Sequence, residues 1–504
     1  GVRTLSEVGT VGDWDRRQME QFCLSHLIYC TLEPDEEFVA MDLHFPVANH
    51  GIRSVLELVH LVLEKPRWET NALDRAKQNY LSHYRTQQKS LERATSARLM
   101  DMMLGPDRRF MDPSPEEVSA LKLEDVVASV QAQLLSGNLE VSVVGDFDPE
   151  ELDKYILQYL GTVQERHGPM APEVPMLLNS KSVVPSLLRT QRWHLQDSDE
   201  RACAYLSGPA PNRWAPLPML PAMDPAILAA AGPLDPTDFK NPLVRRAHPL
   251  YTFISLSLLV SLINGRLFTT VRDDLGLTYD VSFDLTMFDR LEVGWFLLTV
   301  TAMPHNIENA LAASLGTVRG LPKRRITQRE LDRARRTSLT RHESDLKSND
   351  YWLSLLTHVQ SPAVPMKTLQ CIADLPAMYE AATVDDIYHA YRGLSLGDDD
   401  IFSCIGVSGQ TASQTPGTPP PPPQAPVLQQ AIRSGQQGAE AAGRNSLKTL
   451  STEAASTSTT TMEETMAKNA VAAAAAVVAA FKTAKMGDAL KEFVRNKPPS
   501  GPEK

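Results

Sequence analysis

The chain has 504 residues, of which 42% are hydrophobic and 22% are charged, and its formal net charge is −11. This acidic balance argues against a nucleic-acid-binding protein, because such proteins need a basic stripe to contact phosphates. The five cysteines form no CxxC pair, which fits a reducing compartment and offers no cysteine zinc site. No uninterrupted apolar run reaches the ~18–20 residues of a membrane-spanning helix.

The first third of the chain alternates predicted strands and helices. Glu37–Phe45 alternates apolar and polar side chains, as in a half-buried strand, and Val55–Leu63 repeats its apolar side chains at helical spacing. A long charged helical segment follows over Trp68–Met100, then a short strand over Leu139–Val144 and a helix over Pro149–Leu160. Strands and helices in this order indicate an α+β domain.

A second series of elements follows a proline-rich stretch. A strand is predicted over Arg201–Gly208, and Pro209–Pro249, dense in proline and alanine, is predicted to form a loop insertion. The remaining predicted elements are, in order, a long apolar helix over His248–Asp274, strands over Val281–Thr286 and Val293–Thr301, a charged helix over Thr327–His358 and a strand over Asp400–Val407. This pattern is typical of a mostly antiparallel sheet packed against helices.

The two series match each other, which indicates an internal repeat. Leu73–Ala76 and Leu331–Ala334 are both Leu-Asp-Arg-Ala, 258 residues apart, and each lies near the start of a charged helix. Leu123–Val126 corresponds to Val384–Ile387 at an offset of 261 residues, and each precedes a predicted strand. An ordered series of matches at nearly constant offset predicts two homologous α/β sandwich domains.

The repeat length and the composition predict the domain boundaries. The second copy begins near Ser186, so the first copy should begin before Gly1 and is expected to be truncated. From Gln410 the chain is too poor in apolar residues to fold, apart from an Ala-rich stretch, Glu463–Val494, that could form an isolated helix. The predicted units are a truncated first domain over 1–163, a linker over 164–185, a second domain over 186–409 and a mostly disordered tail over 410–504.

Most catalytic motifs are missing from the sequence. It contains no GxSxG, no P-loop and no GxGxxG, and its twelve histidines form neither HExxH nor HxxEH. A zinc site needs three properly spaced ligands, so we predict no metal site and no cofactor site within this chain.

One segment, Asn264–Asp280, combines polar side chains that could contact a substrate with a tight turn. A helix is predicted to end near Asp274, Gly276 can take a left-handed cap conformation, and a strand begins at Thr278. Arg272 and Tyr279 can therefore converge through the turn. A guanidinium and a phenol provide several directed donors and no negative charge, which suits peptide carbonyls or a developing oxyanion.

Two simpler interpretations of these residues remain open at this stage. Tyr279 alternates with Val281 and Phe283, so it could be the solvent-facing end of a core strand. Arg272 could pair with Asp273 or complement the helix C-terminus.

The stretch Gly265–Tyr279, with its Arg-Asp-Asp-Leu-Gly-Leu-Thr-Tyr, resembles the pitrilysin/insulinase family of zinc metallopeptidases. The Leu-Asp-Arg-Ala helices and the Val-Val-Gly-Asp-Phe sequence at Val143–Phe147 are similar to the same family. The resemblance covers about residues 1–409 and implies two halves of homologous α+β domains around a chamber, with Zn²⁺ bound by HxxEH in the N-terminal half. It implies that this chain is the non-zinc half, in which Arg272 and Tyr279 contact the substrate backbone.

Further residues are similar to a branch of that family that removes transit peptides from precursors in the chloroplast stroma: Gly1–Glu7, Gly9, Cys23, His26, Glu36–Phe38, Ser90–Arg93 and Gly145–Phe147. The resemblance implies a zinc metalloendopeptidase as the complete protein and an inactive fragment here. The implied partners are an extended basic precursor and the N-terminal catalytic half, with no nucleic acid and no membrane. A non-catalytic scaffold subunit and a mitochondrial matrix processing peptidase are the alternatives.

Overall fold

The computed structural model describes residues 2–34, 38–104, 110, 112–134, 139–165, 189–213, 235–288, 293–357 and 372–410. Most of the predicted linker, the middle of the predicted insertion, Cys371 and the tail after Gln410, with its Ala-rich segment, lie outside these residues.

The first series contains one hairpin and eight helices among its described residues. Its elements are α1 (Val2–Val8), α2 (Arg16–Ser25), β1 (Tyr29–Pro34), β2 (Val39–His44), α3 (Gly51–Glu64), α4 (Thr70–Gln88), α5 (Leu91–Leu104), α6 (Pro115–Ala120), α7 (Leu123–Gln131) and α8 (Pro149–Tyr155), which continues as a π-helical turn over Ile156–Leu160. The hairpin is antiparallel, and Tyr29 faces His44. One face of the hairpin packs on α3 through Val55 and Leu58.

The second series has a larger sheet. Its elements are β3 (Thr190–Gln196), β4 (Arg201–Pro211), α9 (Pro242–Ala247), α10 (Tyr251–Leu267) with a π-helical continuation over Phe268–Asp274, β5 (Asp280–Thr286), β6 (Val293–Ala302), α11 (Ile307–Arg319), α12 (Gln328–Asp345), α13 (Asn349–Leu356), α14 (Leu375–Ala381), α15 (Val384–Arg392) and β7 (Phe402–Gly409). The predicted strands β4, β5, β6 and β7 and the predicted apolar helix are present to within a few residues, whereas β3, α9, α11 and α14 were not predicted from the sequence.

The five-stranded sheet has the order β3-β7-β4-β6-β5. Only the β3–β7 pair is parallel, so the sheet is mostly antiparallel and the predicted α+β class is confirmed. Side chains of β4 alternate between two buried layers. Ala204 and Leu206 join α10 in the main core, whereas Cys203 and Tyr205 join a second layer with α5.

Helix α5 of the first series packs on the sheet of the second. The Nε1 atom of Trp193 in β3 donates to Oγ1 of Thr95 at 2.9 Å, and the Arg98 guanidinium lies 4.5 Å from the Trp193 ring centroid. This close approach needs a glycine on β7, since a Cβ at Gly406 would clash with the Thr95 hydroxyl and with Trp193. The two series therefore share one buried interface.

Three expectations from the sequence are corrected by the structure. The predicted strand over Leu139–Val144 is wrong, because these residues pair with no strand in the described part of the chain and a β-strand requires a neighbour to satisfy its backbone. The predicted insertion is too long, since its first three residues end β4 and Pro242–Ala247 is helical. Both long charged helices are interrupted, at Lys89 and near Lys347.

Helix α10 with its π-helical end is the central core element. By length and composition alone, Tyr251–Asp274 could cross a membrane, since an 18-residue stretch within it has a mean hydropathy of 1.5. Instead Leu256, Leu258 and Leu259 are fully buried within the protein core. Its apolar character is therefore explained by packing between the sheet and α11, α12, α14 and α15.

Candidate functional site

The candidate site lies where α10 ends and β5 begins. The last turn of the helix, Phe268–Asp274, is π-helical, a local irregularity that is often found at functional sites. Val271 is fully buried in this turn, whereas Arg272 next to it is exposed. The helix therefore holds the Arg272 backbone firmly while its side chain reaches solvent.

Gly276 reverses the chain after this turn. Its φ is +60°, a left-handed conformation that favours glycine, as the sequence predicts. The Gly276 amide donates to the Arg272 carbonyl at 3.2 Å, and the Leu277 amide donates to the Val271 carbonyl at 3.1 Å. The turn thus ties the residues that lead to Tyr279 back onto the helical turn that carries Arg272.

Tyr279 immediately precedes β5 and is tied to β6 through its backbone. Thr301 of β6 pairs with Asp280, and its carbonyl accepts a hydrogen bond of 2.9 Å from the Tyr279 amide. The Thr278 hydroxyl donates to the same carbonyl at 2.7 Å. Two hydrogen bonds to one carbonyl therefore fix the chain where it enters the strand.

Asn264 joins α10 to β5 through two hydrogen bonds. Its Nδ2 donates to the Phe283 carbonyl at 2.9 Å, and its Oδ1 accepts from the Phe283 amide at 2.7 Å. Since β5 is an edge strand, these backbone groups would otherwise need another partner. The amide therefore fixes the distance between the helix that carries Arg272 and the strand that follows Tyr279.

Arg266, two residues before the π-helical segment, is a second fixed point. This buried guanidinium donates to both carboxylate oxygens of Glu330 at 2.9 and 3.1 Å, and to the Arg324 carbonyl at 2.8 Å. Burial alone would raise the pKa of Glu330, but hydrogen bonds from Arg266 and from Thr327 lower this pKa to about 2. The ion pair anchors α10 to the start of α12.

The polar ends of the Arg272 and Tyr279 side chains make no hydrogen bond to the described parts of the protein. Within the described parts of the chain, neither side chain donates a hydrogen bond, and Arg272 forms no ion pair with Asp273. The Arg272 guanidinium lies 4.8 Å from the ring centroid of Phe268. Tyr279 is 62% exposed although Phe283 is fully buried, so the tyrosine is not part of the core face. Arg272 does lie in the last helical turn, where its charge also complements the helix dipole.

The same turn carries exposed apolar side chains. Phe268 is 47% exposed and Leu275 is 52% exposed, although both flank a fully buried Val271. An apolar rim with donors that lack protein partners can contact both the side chains and the carbonyls of an extended peptide.

No group of three or more His, Cys, Asp or Glu side chains that could hold a metal ion occurs among the described residues. The Arg272 guanidinium and the Tyr279 phenol present hydrogen-bond donors at this turn.

Asn264 and Arg266 were not singled out by the sequence as positioning residues. Thr327 and Glu330 have the spacing of a helix capping box, and they do cap α12 in this way. This spacing was the one sequence signal for the Arg266 anchor, because Glu330 is also the partner of Arg266. No sequence pattern identifies the Asn264–Phe283 contact, which joins a helix and a strand 19 residues apart.

The chain is similar to known peptidases of the M16 family. Residues 120–338 match the family described as the peptidase M16 inactive domain. The chain is 46% identical over 427 residues to the chloroplastic stromal processing peptidase of Arabidopsis thaliana, covering 82% of this chain and 34% of that protein. It is 47% identical over 427 residues to the Pisum sativum protein of the same name, covering 83% of this chain and 34% of that one.

A solved structure supports the same fold. The crystal structure of a peptidase M16 inactive domain from Pseudomonas fluorescens matches with a TM-score of 0.61 and 18% identity, covering 82% of this chain and 89% of that one. At this identity the likeness shows the fold alone. The chain spans about a third of the length of the curated relatives it matches.

Proposed function

The chain belongs to the M16 peptidase family, and we propose that it is the non-zinc half of a zinc metalloendopeptidase that removes transit peptides from precursor proteins in the chloroplast stroma. Identities of 46% and 47% to chloroplastic stromal processing peptidases support this proposal, as does the match to an inactive M16 domain. Zinc bound by the catalytic half would supply an activated water. The part played by this chain is to bind and orient the substrate.

The observation that carries this role is the contrast between a fixed backbone and available side chains at Arg272 and Tyr279. Asn264 and Gly276 hold the backbone on both sides, whereas the guanidinium and the phenol make no hydrogen bond within the described residues. A fixed backbone limits the ordering required on binding to the rotamers of the two side chains. Arg272 and Tyr279 would donate to backbone carbonyls of the extended substrate and to the oxyanion of the tetrahedral intermediate.

The rim around the donors suits a basic, partly apolar segment. Phe268 and Leu275 offer exposed apolar surface. Asp273, Asp274 and Asp280 are exposed beside them, and residues 1–409 carry a net charge of −14. This acidity would attract a cationic transit peptide, and the attraction should weaken as salt is added.

The test separates binding from cleavage with one fluorescent transit-type peptide rich in Arg, Ser and Ala. Anisotropy reports its binding to this chain, and fragment release reports its cleavage by the longer polypeptide that contains the chain. Chelation of zinc should stop cleavage and leave binding to this chain unchanged. Cleavage that survives chelation would contradict the assignment as a zinc metalloendopeptidase.

The same experiments address the two alternatives. Binding with no cleavage in either condition would favour the non-catalytic scaffold. Import assays with isolated chloroplasts and mitochondria would distinguish action in the stroma from action in the mitochondrial matrix.

A further inference from the structure

The second sheet has one face that is only partly covered by helices. Helix α5 packs on this face over β3, β4 and β7. On β6, Leu298 and Val300 point into the main core and are buried, whereas Thr299 and Thr301, which point to the side of α5, are only half-buried. Among the described residues, the β5–β6 end of this face is therefore left partly open.

Polar side chains from three adjacent strands line the open end of the face. Tyr205 of β4 pairs with Thr299 of β6, which in turn pairs with Ser282 of β5. Thr301 of β6 pairs in the same way with Asp280 of β5. Residues that oppose each other in a sheet, and residues two apart along a strand, point to the same side, so these side chains share one surface. This surface, called the polar face below, consists of Tyr205, Asp280, Ser282, Asp284, Thr299 and Thr301.

The two carboxylates of the polar face form no ion pair within the described residues. Asp280 and Asp284 both reach solvent, and the Ser282 hydroxyl donates to Oδ2 of Asp284 at 2.9 Å. Partial burial and the nearby Asp280 raise the pKa of Asp284, and no basic group acts on this carboxyl. Arg201, on the same side of β4, is already held by Glu92 at 2.8 Å. Two like charges with no cation between them favour the binding of a positive group.

Tyr205 is an independent sign that the polar face binds a ligand. Its side chain is nine-tenths buried, yet its hydroxyl makes no hydrogen bond within the described residues, although buried tyrosine hydroxyls usually have a partner. Burial, and then the charges of Cys203, Glu92 and Asp280, raise the pKa of this hydroxyl, so it lies within electrostatic reach of Asp280. A ligand that supplies the missing partner gains affinity, because a buried hydroxyl without one is costly.

We propose that the polar face is a subsite for an arginine side chain of the extended substrate, held by Asp280, Asp284 and the Tyr205 hydroxyl. This assignment rests on the proposed function, since it gives a side-chain preference to the peptide site at Arg272 and Tyr279. A guanidinium carries five donors in a planar fork and no acceptor, which matches two carboxylates and a hydroxyl oxygen. Asp280 directly follows Tyr279, so the polar face begins one residue from the proposed backbone donors.

Two fluorescent peptides test the subsite. Both consist of Ser and Ala except at one central position, which is Arg in one peptide and Gln in the other. Anisotropy with the full 504-residue chain should show at least ~10-fold tighter binding of the Arg peptide, because hydrogen bonds between charged groups are the stronger ones. This preference should persist at about 0.5 M salt, where long-range attraction between exposed charges is largely screened.

Matched variants locate the preference. Asp280→Asn and Asp284→Asn should each reduce it to about 2-fold or less, because the charge-assisted hydrogen bonds are lost. Tyr205→Phe should also reduce it without lowering the melting temperature, since the hydroxyl makes no hydrogen bond within the described fold. Asp153→Asn, at an exposed residue of α8, removes the same charge elsewhere and should leave the preference intact.

The outcomes separate the subsite from the proposed function. Equal binding of the two peptides, or an equal loss of preference in Asp284→Asn and Asp153→Asn, would overturn the subsite, and the proposed function would stand if Arg272→Ala weakened both peptides. A preference that disappears at high salt would assign it to the general acidity of the chain and overturn the subsite too. An arginine preference with affinities unchanged by Arg272→Ala would support the subsite and contradict the role of Arg272. Binding of neither peptide would overturn both.

Discussion

Asn264 on α10 holds both backbone groups of Phe283 on β5, donating to its carbonyl at 2.9 Å and accepting from its amide at 2.7 Å. This contact satisfies the outward-facing backbone groups of Phe283 on the edge strand. It also sets the spacing between the helix that carries Arg272 and the strand that follows Tyr279. The proposed peptide donors, Arg272 and Tyr279, are therefore positioned by a residue that the proposal does not place in contact with substrate.

Asn264→Ala should lower both stability and cleavage. Loss of the amide leaves two partly buried backbone groups without partners, so we expect a cost of about 1–3 kcal/mol in the free energy of unfolding. Urea unfolding of the chain measures this cost. Asn306→Ala is the control, because the Asn306 side chain caps no helix and makes no hydrogen bond within the described residues. Equal midpoints for the two variants would contradict the positioning role.

Arg272→Ala and Tyr279→Phe should each slow precursor cleavage by the longer polypeptide. Loss of one oxyanion donor typically costs ~10²–10³ in rate, and these side chains contribute no hydrogen bond to the described fold. The melting temperature should therefore stay within ~1 °C of the wild type, since surface substitutions away from such contacts are usually nearly neutral. Arg329→Ala, at another exposed arginine, is the control. Wild-type cleavage rates in both variants would refute the assignment.

The Glu330–Arg266 ion pair should make stability depend on pH in the acid range. The pKa of Glu330 is lowered from 4.5 to about 2, so its contribution is fully present above pH 4.5 and is lost as the pH falls toward 2. The shift corresponds to at most about 3 kcal/mol before solvent screening. Glu330→Gln keeps a capping residue at this helix position but removes the charge. Its unfolding free energy should change less than that of the wild type between pH 5 and pH 2.5, and parallel pH profiles would disprove the linkage.

Most strands of the second sheet, the long apolar helix and the left-handed turn at Gly276 could be predicted from the sequence, because helical spacing, strand alternation and the left-handed glycine are local signals. The strand over Leu139–Val144 could not be judged locally, since strand formation depends on a neighbour that only the fold can provide. The Asn264–Phe283 contact and the packing of Thr95 against Gly406 join residues that are far apart in sequence or lie in different elements. Such contacts leave no periodic pattern in the sequence. The residues that position the site could therefore be identified only from the structure.

Gly406→Ala should separate α5 from the second sheet. A Cβ there would lie within 3.0 Å of Trp193 Nε1 and closer still to the Thr95 hydroxyl, and both groups are fixed by the 2.9 Å hydrogen bond between them. Because neither group can move without breaking this bond or shifting α5, we expect a loss of about 2–4 kcal/mol from overpacking and the broken contact. Gly316→Ala is the matched control in α11, where a Cβ meets nothing within 4 Å and the same substitution should stabilise the helix by up to about 1 kcal/mol. Opposite shifts of the two urea midpoints would locate the interface at Gly406, and a neutral Gly406→Ala would show that α5 does not pack against β7 as described.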